Sequence, residues 1–532
     1  MSQAATAETS TENPSPPGAG RGRLRGHPWL SLLAVALGVM LVALDGTIVA
    51  IASPAIQQDL NASLSDIQWV TNAYLLAIAV TLITIGKIGD RFGHTKIFLT
   101  GAVGFVATSA GIGMTDDIKV MIGLRVLQGV FGAMLQPTAL GIIRATFPAE
   151  KLNTALGIWG AVVAASTAGG PIVGGLLVEH VNWESCFYVN VPVGIVALIM
   201  GLLFLKETER DRAAKSFDIP GVVLLSVGLF LLVWALIKAP GYGWGDAKTL
   251  GFLGGALVTG LLFVLRESRT QEPLLPLRLF RSLALSAGTV LVLVLAFCLF
   301  GAMFYMTFYL QNLHGLSAVE AAVRMLPLTG LMVVGSPLAS VLINRFGPRP
   351  LIVIGMLVTS VSLFGLSTLD TGSGTNDTLI WFALLGIGLA PIMVGATEVI
   401  VGNAEVELAG VAGGLQSTSM QIGGTLGTAV LGAVMSAKLD DVFTERWAAA
   451  HLPALSGEQL AQAKDAVSVG VAPVTADTPP AVAETITQIA HSAFMDGMHL
   501  AFVVAGCVSV AGALIGLLTK QGRKVEGAVV HI

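Results

Sequence analysis

The sequence predicts an all-α polytopic membrane protein with fourteen transmembrane helices, arranged as two six-helix bundles plus two extra central helices. Three observations predict it. Of the 532 residues, 54% are hydrophobic and 12% charged, whereas an ordinary soluble domain carries about 25% charged residues. Apolar runs of about 20 residues, long enough to cross a hydrocarbon core of about 30 Å, recur along the chain. A short charged turn between two of these runs returns in the second half.

The first 26 residues are rich in Ser, Thr, Pro and Ala, too polar to build a core, and are expected to form a disordered cytoplasmic tail. The first apolar run, 30–54, exceeds the 7–15 residues of a signal-peptide core, so it should remain as a span. Runs at 67–86, 97–115, 118–141, 154–178 and 186–205 complete an amino-terminal bundle over 27–206. Charged stretches "LKETERDRAAKS" and "LRESRTQEPLLPLRLFRS" flank two more runs, 218–238 and 248–265, which makes 207–280 an insertion with cytoplasmic linkers. Six final runs, at 283–310, 319–343, 350–369, 378–401, 409–436 and 498–518, form a carboxy-terminal bundle over 281–520. Its outer segment at 437–497 reads by composition as a loose loop with short helices, and 521–532 as a second cytoplasmic tail.

Lysine and arginine set the orientation. With the amino terminus inside, 21 of the 29 basic residues fall in inner segments and 6 in outer ones, while Arg125 and Arg324 lie within spans. Both termini are then cytoplasmic. The net charge is −4, and lysines and arginines are sparse and scattered with no basic patch, so no nucleic-acid partner is expected. Cys186, Cys298 and Cys507 are too far apart to suggest a disulfide framework or a metal cluster.

The recurring turn is "GKIGDRFGHTK" at 86–96, which aligns with "SVLINRFGPRP" at 340–350. Arg91, Phe92 and Gly93 fall on Arg345, Phe346 and Gly347 at an offset of 254, and Gly169–Gly170 fall on Gly423–Gly424 at the same offset. Such duplication is common in secondary transporters. Asp90 is suited to the amides at a helix start, Arg91 to a carboxylate, and Gly86 and Gly93 to a tight turn.

The turn resembles the signature loop of the major facilitator superfamily, in which the aspartate and arginine form a cytoplasmic gate. The resemblance assigns that gate to Gly86, Asp90, Arg91, Gly93 and Arg345, although Asn344 replaces the aspartate in the second copy. "LDGTIVAIASPAI" at 44–56, "RVLQGVFGAMLQP" at 125–137 and "GIWGAVVAASTAGGPIVGGLL" at 157–177 resemble the first-, fourth- and fifth-span motifs of the fourteen-span drug:proton antiporters. "WESCFYVNVPVGI" and "AFMDGMHLAF" are similar to that branch as well. The resemblance implies a major facilitator fold, proton coupling through the fourth span, and an antiporter seam at Gly157, Gly170, Pro171, Gly174 and Gly175.

The residues argue the chemistry independently. A charge at the centre of a span costs about 2.5–3.5 kcal/mol on insertion scales. Asp45 and Arg125 lie at similar depths from the outer ends of their spans, so they can pair, and changes in their separation or hydration would move a proton. Small residues along the fifth span permit close helix approach, and Pro171 removes an amide. Gln128, Gln136, Trp159, Phe300, Phe304, Phe308 and Gln416 offer an aromatic and hydrogen-bonding lining for an amphipathic small molecule.

The leading expectation is therefore a proton-coupled exporter of amphipathic, aromatic drugs or antibiotics, monomeric, in a bacterial cell membrane, drawing on the proton gradient and no cofactor. An importer or lipid transporter on the same fold is the alternative. A membrane enzyme is disfavoured, because the eight histidines are dispersed and neither HExxH nor GxxxxGK[ST] occurs.

Overall fold

Within lipid, a chain that is not a closed barrel satisfies its backbone by forming helices. The computed structural model describes residues 25–207, 218–270, 273–275, 277–403, 409–453, 455–474 and 478–520. Nearly all of the expected amino-terminal tail, the whole carboxy-terminal tail and most of the first charged linker lie outside those residues. The amino-terminal half comprises α1 (Pro28–Asp59), α2 (Leu64–Phe92), α3 (His94–Gly113), α4 (Ile118–Thr146), α5 (Ala149–His180), the single turn α6 (Ser185–Tyr188) and α7 (Asn190–Phe204). Then come α8 (Ile219–Tyr242) and α9 (Ala247–Arg269). The carboxy-terminal half comprises α10 (Leu283–Phe308), α11 (Ala318–Phe346), α12 (Pro348–Leu366), α13 (Thr375–Gly402), α14 (Ala409–Ala449), the short α15 (Gly457–Ser468) and α16 (Pro480–Gly516).

Among the described residues, twelve helices are long and apolar enough to cross a membrane, and α5, bent by 41° between Thr167 and Gly169, makes a thirteenth. Fourteen were expected. The remaining one corresponds to α2, a continuous helix of 29 residues.

The duplication extends to the helix ends. Ser63 and Asp66 close a capping box at the start of α2, and Ser317 and Glu320 close one at the start of α11, again 254 positions apart. Each box satisfies two amides that the helix cannot. Glu320 is thus a capping-box residue of α11. Gly93 (φ 98°) and Gly347 (φ 81°) end the two helices in a backbone region that residues with a Cβ rarely adopt. Packing follows the same repeat. α1 contacts α5 and α7, and α10 contacts α14 and α16; α2 packs on α4 as α11 packs on α13. The halves meet through α2 on α14 and α5 on α11, a pair of interfaces exchanged by the repeat.

The inserted pair α8–α9 is peripheral. In their most apolar stretches 17% and 11% of residues are buried, against 67% for α10, and α8 rests on α2 and α14. The end of the bundle carrying Arg91 and Arg345 is termed the basic end, and the opposite end the extended end.

The segment at 437–497 departs from expectation. α14 has 41 residues and α16 has 37, so each is well over 50 Å long at about 1.5 Å per residue, and both project beyond a hydrocarbon core. With α15 they enclose a small hydrophobic core of Leu439, Phe443, Trp447, Val467, Ile489 and Ala493. Trp447 Nε1 donates to the Pro453 carbonyl at 3.0 Å, and Arg446 pairs with Asp496 at 2.6 Å. The segment is a packed helical extension, because its apolar residues recur at helical spacing, a regularity that its Pro, Ala, Ser and Thr content conceals.

Candidate functional site

Asp45 lies near the middle of α1 and is fully buried; Arg125, on α4, is 1% exposed. Arg125 Nη1 donates to Asp45 Oδ2 at 2.5 Å and to Gln128 Oε1 at 2.7 Å, while its Nε donates to the Val70 carbonyl at 2.9 Å. The other carboxylate oxygen, Oδ1, accepts from Gln128 Nε2 at 3.1 Å and from Asn190 Nδ2 at 2.9 Å. Both amide nitrogens also reach the Ser109 hydroxyl, which itself donates to the Phe187 carbonyl. The guanidinium stacks over the Tyr74 ring, 4.1 Å from its centroid, and the Tyr74 hydroxyl donates to the Val42 carbonyl. One acid and one base are therefore held in a closed cage built by α1, α2, α3, α4 and α7.

Charges this deep persist only when paired and hydrogen-bonded, and removing one partner of a buried pair costs about 3–5 kcal/mol. The Asn190 Oδ1 has no donor, which leaves an acceptor beside the carboxylate. Burial favours the neutral form of any carboxylate and an adjacent guanidinium favours the charged form.

The seam residues divide by face. A Cβ at Gly170 would strike the Thr47 hydroxyl of α1, and one at Gly174 would lie 2.8 Å from Ile48 Cγ1. The Thr47 hydroxyl bridges back to the Thr167 carbonyl at 3.2 Å. Gly175 turns to the other half: its Cβ would sit 2.7 Å from the Ala318 carbonyl and 3.1 Å from Ala322 Cβ of α11. The fifth helix thus packs on α1 and α11 through successive glycines. Pro171 lies inside α5, and Gly157 falls in the same helix, where its surroundings lie outside the described residues.

Several hydrogen bonds join the halves toward the extended end and the middle. Glu179 accepts from the Val319 amide at 3.0 Å, Gln311 donates to the Ile51 carbonyl at 3.0 Å, Gln68 donates to the Tyr305 hydroxyl at 2.8 Å, and the Thr428 hydroxyl donates to Asn72 at 2.6 Å.

At the basic end, Arg91 and Arg345 are exposed and lie over the neighbouring Phe92 and Phe346 rings. The side chain of Asp90 lies outside the described residues. Gly86 makes an ordinary contact with Pro137, at 3.9 Å from a built Cβ. The His94 ring fills the space that side chains at Gly89 of α2 and Gly141 of α4 would need.

The residues expected to line a cavity do not come together on one wall. Gln128 belongs to the Asp45 cage, a correction whose reason is that its amide faces α1 and α3 instead of the space between the halves. Phe304 and Phe308 are 1% and 0% exposed and stack edge to face within the core. Gln136, Trp159, Phe300 and Gln416 are half-buried; Gln416 reaches Thr397 at 3.4 Å, and Phe300 and, from the other half, Leu75 both lie against Gly424. Asn190, Ser109 and Tyr74 were missed as site residues. A polar Asn190 inside "FYVNVPVGI" was the available signal for the first of them.

The sequence profile described as Major Facilitator Superfamily matches residues 35–428. Over 505 residues, 95% of this chain and 94% of the relative, it is 57% identical to the tetracenomycin C resistance and export protein of Streptomyces glaucescens. It is 31% identical over 502 residues, 93% of this chain and 96% of the relative, to the multidrug efflux pump LfrA of Mycolicibacterium smegmatis. Among solved structures, a bacterial homologue of the human lysosomal transporter Spinster, in an inward-facing and occupied conformation, shares the fold with a TM-score of 0.63 at 17% identity, covering 93% of this chain and 97% of that one. With two repeated six-helix halves, a profile matched over most of the length and relatives aligned nearly end to end, this multi-pass membrane protein belongs to the Major Facilitator Superfamily.

Proposed function

We propose that the protein exports an amphipathic, aromatic drug or antibiotic across the cell membrane in exchange for protons, by alternating access. The observation that carries this reading is the buried Asp45–Arg125 cage, an ion pair held by side chains of the amino-terminal bundle. Kinship with an antibiotic exporter and a multidrug pump supports the direction and the substrate class. The basic end is cytoplasmic, which puts both termini inside and follows from the lysine and arginine distribution. The hydrogen bonds joining the halves near the extended end support a state closed to the outside, in which substrate reaches the centre from the basic end. Arg91, Arg345 and Asp90 would tie that end shut in the opposite state. The protein acts as a monomer, with the proton gradient as its energy source.

Everted membrane vesicles test the reading. On acidifying the interior of the vesicles, accumulation of a fluorescent polycyclic aromatic antibiotic is expected to rise several-fold over vesicles lacking the protein and to collapse with a protonophore. Accumulation indifferent to the protonophore would overturn proton coupling.

The cage also makes a prediction of its own. Asn190→Ala deletes one hydrogen bond to the Asp45 carboxylate, an interaction with a charged group contributing about 1.5–3 kcal/mol. Transport is expected to fall about tenfold or more, since about 1.4 kcal/mol is tenfold, while the amount of protein in the membrane stays near wild type. Unchanged transport rates would show that Asn190 is dispensable to the cage.

A further inference from the structure

A groove of about 450 Å³ runs between α2, α4 and the inserted helix α8, on the flank of the bundle rather than between its halves. Its lining is ordered by depth. At the extended end it carries Asp66, Lys119 and Lys238, all within about 6 Å of their helix termini at about 1.5 Å per residue. Trp69 and Trp234 come next, about 7–12 Å down on the same rise. Below them the wall is apolar, reaching Val80 about 24 Å down.

Two features show that this surface is more than a helix face left to bulk lipid. Trp69 is 8% exposed, and neither its indole N–H nor that of Trp234 meets an acceptor in the protein. Buried polar groups are ordinarily hydrogen-bonded; both N–H groups are covered by neighbouring atoms, so an acceptor from outside the chain reaches them as those side chains part. Trp69, Phe230 and Trp234 pack together with ring centroids 5.5–5.7 Å apart. At the rim, Asp66 is engaged in its capping box, whereas Lys238 Nζ makes one bond, to the Ser65 hydroxyl at 2.9 Å, and an ammonium has three donors.

We infer that this groove binds one phospholipid from the leaflet at the extended end, with its phosphate at Lys119 and Lys238, ester carbonyls on the Trp69 and Trp234 N–H groups, and an acyl chain along the apolar wall. The vertical order of cations, neutral donors and hydrocarbon matches the order of phosphate, ester and chain in a diacyl lipid. A compact aromatic drug has no such order. The lipid would fill the space between the inserted pair and the amino-terminal half, so α8 and α9 act as a lipid-backed buttress on α2, the helix that joins the two halves through α14. This inference does not depend on the transported substrate.

Native mass spectrometry of the full chain, purified in mild detergent and titrated with dioleoyl phosphatidylglycerol or dioleoyl phosphatidylethanolamine, tests it. Wild type is expected to retain one lipid, and Trp69→Phe with Trp234→Phe, which keeps the rings and deletes the donors, to lower occupancy at least fivefold. Lys119→Gln with Lys238→Gln should do the same while leaving the ring cluster in place. Quenching of tryptophan fluorescence by brominated acyl chains should fall in parallel in the Trp69→Phe, Trp234→Phe protein. Equal lipid retention in wild type and both double variants, or no retained lipid in wild type, would overturn the inference. So would displacement of the lipid by a transported aromatic compound, because the groove would then be a drug site.

Discussion

Asp45→Asn is expected to abolish uphill transport and substrate-evoked proton movement while leaving the protein folded. The substitution keeps the size of the side chain and leaves the oxygen that faces Arg125 as an acceptor, but removes titration. It also leaves the Arg125 guanidinium without its anion, 1% exposed, in a cage whose remaining acceptors are the Val70 carbonyl and the Gln128 side chain. Losing one partner of a buried pair costs about 3–5 kcal/mol, so some loss of thermal stability is expected with the functional defect. Substrate binding should persist within about tenfold, or about 1.4 kcal/mol, since the polar atoms of the cage are turned toward one another within the amino-terminal bundle. Proteoliposomes with an imposed pH gradient provide the measurement. Concentrative transport with proton movement by the variant would refute the proton-carrier role, and loss of binding alone would make Asp45 a substrate contact.

Adjacent glycines on α5 give the second large effect, as a contrast. At Gly170 the new side chain would run into the Thr47 hydroxyl and lie 3.2 Å from the Leu44 carbonyl, whereas a Cβ at Gly169 meets nothing within 4 Å. Gly170→Leu should therefore force α1 and α5 apart, at a cost of at least the 1–3 kcal/mol typical of overpacking, and displace Asp45 from Arg125. Gly169→Leu should insert at near wild-type levels. Detergent melting temperature and transport together read the contrast; two variants of equal stability would mean that α1 and α5 are not a tight seam at this level. The second half shows why the spacing alone could not assign this. Gly423, the repeat of Gly169, packs against the Leu293 carbonyl of α10, while Gly424, the repeat of Gly170, faces Phe300. Both are buried, so the repeat keeps register in sequence while the second half adds a close contact at the position where Gly169 is open.

What the sequence by itself determined follows from local and solvent-wide rules. Apolar run length marked the helices because lipid offers the backbone no other partner. The 254-residue offset marked the two halves, and the capping boxes at Ser63 and Ser317 and the turns at Gly93 and Gly347 fall on it because caps and turns are short-range chemistry. Asp45 and Arg125 stood out as charges in apolar spans, and their matching depths brought them together on paper. Tertiary structure decided the rest. Gln128 has the composition of a cavity residue and is a cage residue, Asn190 comes from a helix 145 positions away from Asp45, and Ser109 joins both amides from a third helix. The extension on α14 and α16 looked loose because composition does not record which faces meet. Helix rotation and crossing set those contacts, and they depend on how every neighbour packs, which no single segment of the chain encodes.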